Sequence, residues 1–204
     1  RDSEKVSNTT SLFYAKNCNL DDKSNESFVL KLNETFEKFG INTCIRKIHF
    51  LAQVYHETDK FQTTKEYGGK DSYKPYVGRG LMQLTWESNY KIYKSYSNVD
   101  VVTDYEQVAE ELFLTVDYAG WNWKQGKVLS VGERWKASSD APQYVKTHKP
   151  DYPKTTISWE ENKITKKYGT VDLGIIADDD KVDVISYLVN GGANGIEERR
   201  KYVQ

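Results

Sequence analysis

The sequence predicts a mainly α-helical protein with a small β-hairpin or loop beside a cleft. Three observations carry this. Apolar residues recur at helical spacing in separated stretches, residues 27–39, 43–57, 107–124 and 180–190. Between the second and third lies a Gly-, Lys- and Tyr-rich stretch, residues 60–80, with the texture of a loop or short hairpin. No internal repeat or low-complexity tract points to a solenoid or a disordered chain.

In chain order, residues 1–10 are polar, and residues 11–18 read as a short helix. Over residues 27–39, Phe28, Leu32, Phe36 and Phe39 share one helical face, and Gly40 suits the C-terminal cap. The next helix, residues 43–57, is apolar over most of its circumference and so predicts a central helix, with Glu57 at its end. Residues 81–96 resume helical texture. Val108, Leu112, Val116 and Ala119 mark the helix over 107–124. Residues 138–168 hold Pro142, Pro150 and Pro153 and read as an irregular insert on one face or at the cleft rim. A last core helix spans 180–190.

The 204 residues suit one large domain or two small lobes, and we read a single domain, 1–204, carrying the insert at 138–168. Aromatics, at 13%, can build a core and can stack on sugar rings. The net charge of −1 points to neither nucleic acid nor an anionic membrane, and no apolar run reaches transmembrane length. Charge is uneven, with a basic excess over 134–167 and five Asp over 172–183; both runs read as solvated surface. The chain begins at Arg1 with no secretory signal, as a domain cut from a larger protein or a processed product would. Cys18 and Cys44 allow one disulfide, which would suit work outside the cytoplasm, or two buried free thiols. No metal-site spacing exists, and no cofactor is expected.

Glycoside hydrolysis needs two carboxylates flanking the scissile bond, one of them protonated. Glu57 ends an apolar helix beside Phe50 and Val54, and apolar neighbours and the negative helix end both favour a protonated carboxyl. A surface Glu capping a helix would look the same. Glu66, between Lys65 and Lys70, fits the second, ionised carboxylate; Asp59 and Asp71 compete for that role.

Four strings, read together, resemble the family 19 glycoside hydrolases, the chitinases and phage endolysins. Residues 49–58, HFLAQVYHET, resemble the catalytic helix, in which the Glu after His is the general acid. The EYGGK segment at 66–70 resembles the endolysin branch, whose second carboxylate follows the first by nine positions, as Glu66 follows Glu57. YVGRGLMQLT at 76–85 resembles the family's core motif, and NGGANGIEERR at 190–200 its Asn-Gly-Gly turn and closing Arg-rich helix. The resemblance covers about three quarters of the chain and weakens over 138–168. Asp59-Lys60 departs from it, standing where the family often has two Gly, as does the short stretch between Glu66 and Gly78.

The resemblance implies a lysozyme-like, two-lobed helical fold and an inverting hydrolase of β-1,4 glycosidic bonds. Glu57 and Glu66 would be catalytic. Gln83, Thr85, Asn190, Tyr67, Arg79 and Tyr73 would bind substrate. Gly78 and Gly80 would allow tight turning, His56 would be structural, and Arg199 would anchor a buried carboxylate. The substrate would be peptidoglycan, given the endolysin-like spacing, with chitin as the alternative. Action would then lie outside the producing cytoplasm, as a phage-type lysin or a secreted antibacterial toxin. An immunity or inhibitor protein would be a partner if the chain is a toxin domain; no nucleic acid and no membrane insertion are expected. A non-catalytic glycan-binding module on the same fold is the contrasting class, and retention of both Glu57 and Glu66 argues against it.

Overall fold

A computed structural model describes residues 12–126, 128–129, 132–161 and 163–204. Helix α1, Asn25–Phe39, starts where Ser24 Oγ accepts from Ser27 N, and ends at Gly40 in the left-handed conformation. Helix α2, Cys44–Glu57, is capped by Thr43. Helices α4 (Gln107–Glu110) and α5 (Leu112–Trp121) divide the single helix expected over 107–124: Glu111 takes extended backbone, and a π-helical turn, Asn122–Gly126, follows α5. Every residue of α5 except Phe113 is buried, so α5 rather than α2 is the helix covered on all sides.

The expected helix over 81–96 is shorter. Helix α3 runs only over Glu87–Ser97, because Gln83 and Trp86 adopt φ of 52° and 73°. The expected short helix at 11–18 forms turns instead where it is described. Its backbone lies along residues 61–62, with Phe13 N donating to Phe61 O at 2.7 Å.

The insert is regular rather than irregular. Strand β1 (Val128–Leu129) pairs with β5 (Ile164–Thr170), which pairs with β4 (Thr155–Glu161), all antiparallel. Strands β2 (Arg134–Lys136) and β3 (Asp151–Pro153) form a second antiparallel pair that encloses helix α6, Gln143–Lys146. Pro142 caps α6 and Pro153 closes β3, so these prolines bound elements rather than break them. Val145 and Tyr152, with Trp135 just before the insert, join the main hydrophobic cluster, so the insert contributes to the core instead of lying on it.

Helices α7 (Leu173–Asp178), α8 (Val182–Asn190) and α9 (Ile196–Val203) complete the order. The acidic run that they carry is not simply solvated. Asp172 pairs with Lys124, Asp178 with Arg46, Asp180 with His49, and Asp183 with Arg200 and His148. These pairs tie α7 to α2 and to the π-helical turn, and α8 to α9 and to the insert. Cys18 is buried with its Sγ 3.3 Å from Thr64 Oγ1, and Cys44 is exposed at the start of α2; both are free thiols, so the first segment is not stapled to α2. Among the described residues no helix is long and apolar enough to cross a membrane.

Candidate active site

Glu57, the last residue of α2, and Glu66, in the irregular loop that follows, line one hollow of about 410 Å³. Asp59, Tyr67, Met82, Gln83 and Thr85 line it with them, as do Val189 and Asn190 at the end of α8, Asn194 and Arg199. A second hollow of similar volume shares Glu66, Met82, Gln83, Thr85, Val189 and Asn190 and continues past Tyr73, Trp86, Asn89 and Trp121. The two make one groove, with Glu66 at the junction.

Only half of Glu57's surroundings match the apolar helix end expected. Phe50 and Val54 are fully buried behind it, but a guanidinium stands in front. Arg199 on α9, 1% exposed, donates from Nη2 to Glu57 Oε1 and from Nη1 to Gln53 Oε1. Gln53 Nε2 in turn donates to Ser186 Oγ on α8 at 3.2 Å. This chain of bonds ties three helices together behind a carboxylate that is itself 17% exposed. Arg199 thus anchors a carboxylate, and that carboxylate is Glu57.

His56 also lines the groove. Burial, with the nearby Arg199 guanidinium, pushes its imidazole below the ordinary value. Its ring lies against Gly195, which caps α9 at φ 67°; any Cβ there would overlap the ring. That contact seats the start of α9, and so fixes where Arg199 falls.

Glu66 is held differently. Its backbone N–H donates to Gly78 O at 2.9 Å, and its side-chain Oε1 is buried without a hydrogen-bond partner. A Cβ on Gly78 would sit 2.5 Å from Gln83 Oε1 and 3.1 Å from Glu66 Oε2, so an Ala there would push the ends of both side chains aside. Lys65, expected to keep Glu66 charged, pairs instead with Glu106 at 2.7 Å. Of the two competitors, Asp59 lies in the groove and accepts from Tyr67 Oη at 3.2 Å. Asp71 pairs with Lys74 at 2.8 Å and is absent from the groove's lining.

Gln83, Thr85, Asn190, Tyr67 and Tyr73 all line the groove. Gln83 Nε2 donates to Gly80 O at 3.0 Å, and Thr85 Oγ1 to Gln83 O at 2.8 Å, so both side chains partly serve the turn that carries them. Asn190 Nδ2 reaches Asn194 O at 3.4 Å across the Gly-rich turn. Tyr73 packs edge-on against Trp86 at 5.2 Å; partial burial and the adjacent Glu66 carboxylate push its phenol up. Tyr67 and Trp86 are 60% and 49% exposed, one in each half of the groove.

The structure does not bring Arg79 to the groove. It is 2% exposed and binds Glu106 at 2.6 Å, the carbonyls of Pro75 and Val77, and Tyr90 Oη. Burial opposes a charged Glu106, but Arg79 and Lys65 outweigh it and hold that carboxyl below its ordinary range. Arg79 therefore ties together the loop that shapes the groove wall. Sequence reasoning missed Gln53, Trp86 and Trp121 as groove residues, and singled out Asn89 only as part of the family resemblance. Trp86 directly follows the 76–85 motif, and Gln53 lies inside the α2 motif four residues before Glu57, on the same helical face.

No protein-family model matches the sequence, and no curated protein matches it. Solved structures do. Chitinase C from Streptomyces griseus HUT6037 aligns over 91% of this chain and 69% of its own, at 16% identity and a TM-score of 0.54. The fold is lysozyme-like and mainly α. A class IV, family 19 chitinase from Zea mays aligns over 53% of this chain at 21% identity, with a TM-score of 0.45. A bacterial family 19 chitinase aligns over 56% at 21% identity and 0.44. The matched part of this chain spans 63% and 66% of the length of those two.

Proposed function

We propose that the chain is an inverting glycoside hydrolase of a β-1,4-linked amino-sugar polymer, with Glu57 as general acid and Glu66 as general base. The observation that carries this is the meeting of Glu57 and Glu66, from two separate elements, in one groove that runs past both. Arg199 takes Glu57 Oε1, so the transferable proton belongs on Oε2, where the leaving oxygen would receive it. Glu66 Oε1 is buried and closed to solvent, so Oε2 is the oxygen left to take a proton from the attacking water. Inversion expects the two carboxyls to stand roughly 6.5–9.5 Å apart, with the water between them.

Peptidoglycan is the first choice of substrate, because Glu66 follows Glu57 by nine positions as in the endolysin branch that the sequence resembles. Chitin is the second, favoured by the fold shared with a Streptomyces griseus protein named a chitinase. Either polymer would place the chain's work outside the producing cytoplasm. In a toxin setting, an inhibitor protein would plug this groove.

Glu57→Gln and Glu66→Gln are the test, assayed on purified peptidoglycan and on chitin oligomers, with mass spectrometry of the products to identify the bond cut. Each variant is expected to fold and to lose roughly 10²–10⁴-fold in rate. A Glu57→Gln variant that keeps more than about a tenth of the wild-type rate would remove Glu57 as the acid.

A further inference from the structure

The groove does not end at Trp86 and Asn89. Its second half shares Ile92 and Trp121 with a further hollow of about 170 Å³, walled also by Tyr96, Gln125 and, from the β4–β5 hairpin, Ile157 and Ser158. Two features mark this hollow as built. Trp121 is 3% exposed, and its indole Nε1–H is buried with no hydrogen-bond partner. Such a donor is costly to leave unpaired, and here it belongs to a residue that lines both hollows. The Trp121 ring also stacks on Tyr96, with centroids 5.6 Å apart and planes 30° from parallel, which makes a firm aromatic wall.

Ile92 and Ile157 add aliphatic surface, and Gln125 and Ser158 add hydrogen-bonding groups. An acetamido sugar matches this mixture. Its ring has an apolar face for an aromatic wall, its acetamido methyl suits aliphatic neighbours, and its acetamido oxygen is an acceptor. We propose that the hollow is an additional binding position for one acetamido-sugar unit of a long chain already lying in the groove. The unit packs on the wall made by Trp121 and Tyr96, beside Gln125 and Ser158, and the β4–β5 hairpin closes the position. The inference rests on the glycoside hydrolase reading above. It gives the insert a role, that of lengthening the groove, which its basic charge alone would not supply.

The test compares wild type, Ser158→Trp and Trp121→Phe on β-1,4-linked N-acetylglucosamine oligomers of four and eight units. Ser158 is exposed on a strand, so the Trp fills the hollow from outside, and thermal melting checks that the variant folds. Hydrolysis of the four-unit chain by wild type tests the underlying reading alone. For the hollow, wild type is expected to favour the eight-unit chain through KM. Ser158→Trp is expected to raise that KM about tenfold, the scale of one hydrogen bond with its packing, and to erase the preference. Trp121→Phe should move KM in the same direction, more than it moves kcat. A Ser158→Trp variant that keeps the wild-type preference overturns the proposal. If wild type cleaves neither chain, hydrolysis of purified peptidoglycan decides the underlying reading, and calorimetric binding of the same two oligomers decides the hollow. Tighter binding of the longer chain, lost in Ser158→Trp, supports the position; binding of neither chain, or a preference that the variant keeps, overturns it.

Discussion

Glu57 closes a regular helix and is gripped by a buried guanidinium, whereas Glu66 hangs from irregular backbone and is shaped by what fails to fit around it. On the Glu57 side, Arg199, Gln53 and Ser186 hand hydrogen bonds from α9 to α2 to α8. On the Glu66 side, a Cβ on Gly78 would press on the ends of the Gln83 and Glu66 side chains, and the buried Oε1 has no partner. The first arrangement fixes a position by charge and direction, and the second by exclusion. A groove that must hold one carboxyl steady and leave the other free to take a water's proton would be built in this asymmetric way.

Removing the charge on the first side should break the comparison most. Arg199→Met leaves Glu57 and Gln53 without their donor, so the protein should lose roughly 1–3 kcal/mol, the usual effect of leaving hydrogen-bonding groups unpaired. Urea unfolding measures this, and a loss under about 1 kcal/mol would mean that the network does not hold α9. Gly78→Ala should act on the second side. Because only the ends of the Gln83 and Glu66 side chains must move, it should cost about 1 kcal/mol, the low end for overpacking. Displacing Glu66 should slow hydrolysis more than stability suggests, up to about 100-fold, since small misplacements at a reacting group are expensive. Equal hydrolysis by Gly78→Ala and wild type would show that Glu66 is not positioned by this contact.

The scaffold behind Glu57 should also respond to pH. The Arg200 hydrogen bonds to Asp183, which outweigh the opposing effect of burial, hold that carboxyl below its ordinary value of 3.8. Because the folded value is depressed, the stabilisation is present above the ordinary value and is lost as pH falls through the depressed one. Asp183→Asn should therefore lower stability at pH 7 by about 1–2 kcal/mol and flatten its decline in acid. Parallel acid limbs for variant and wild type would contradict this. The smallest effect belongs to Tyr67→Phe, which removes one exposed hydrogen bond to Asp59 and should shift stability by less than about 0.5 kcal/mol.

How far the sequence could be read follows the same division. Helices α1, α2 and α8 announce themselves because each has one apolar face, Phe28, Leu32, Phe36 and Phe39 in α1 being an example. Glu57 ends such a helix, but a capping surface Glu would look the same, and it was the likeness of residues 49–58 to a catalytic helix that singled it out. Gln83 and Thr85 in the groove wall were found through the likeness of residues 76–85, whereas the backbone that presents them was not legible, because Gln83 and Trp86 hold left-handed conformations that local spacing does not encode. Arg79 looked like a brace for the site, and only tertiary packing shows that its carboxylate is Glu106. The five Asp of 172–183 read as surface because their partners lie far off in sequence, Arg46 and His49 among them. The β4–β5 hairpin had a usable signal in Thr155-Thr156-Ile157 and Tyr168-Gly169-Thr170, but the nearby prolines and lysines concealed it.

The two free thiols differ in a way that matters at the bench. Cys44 is exposed at the first turn of α2, and Cys18 is buried against Thr64. A maleimide dye offered briefly to the folded protein would therefore attach at Cys44 alone. Helix α2 has 14 residues, which at 1.5 Å of rise each puts Glu57 about 20 Å from that attachment point along a rigid rod. The native chain thus carries a single reporter position at a fixed remove from its candidate acid, from which arrival of a labelled polymer in the groove could be timed by energy transfer without altering one residue of the site.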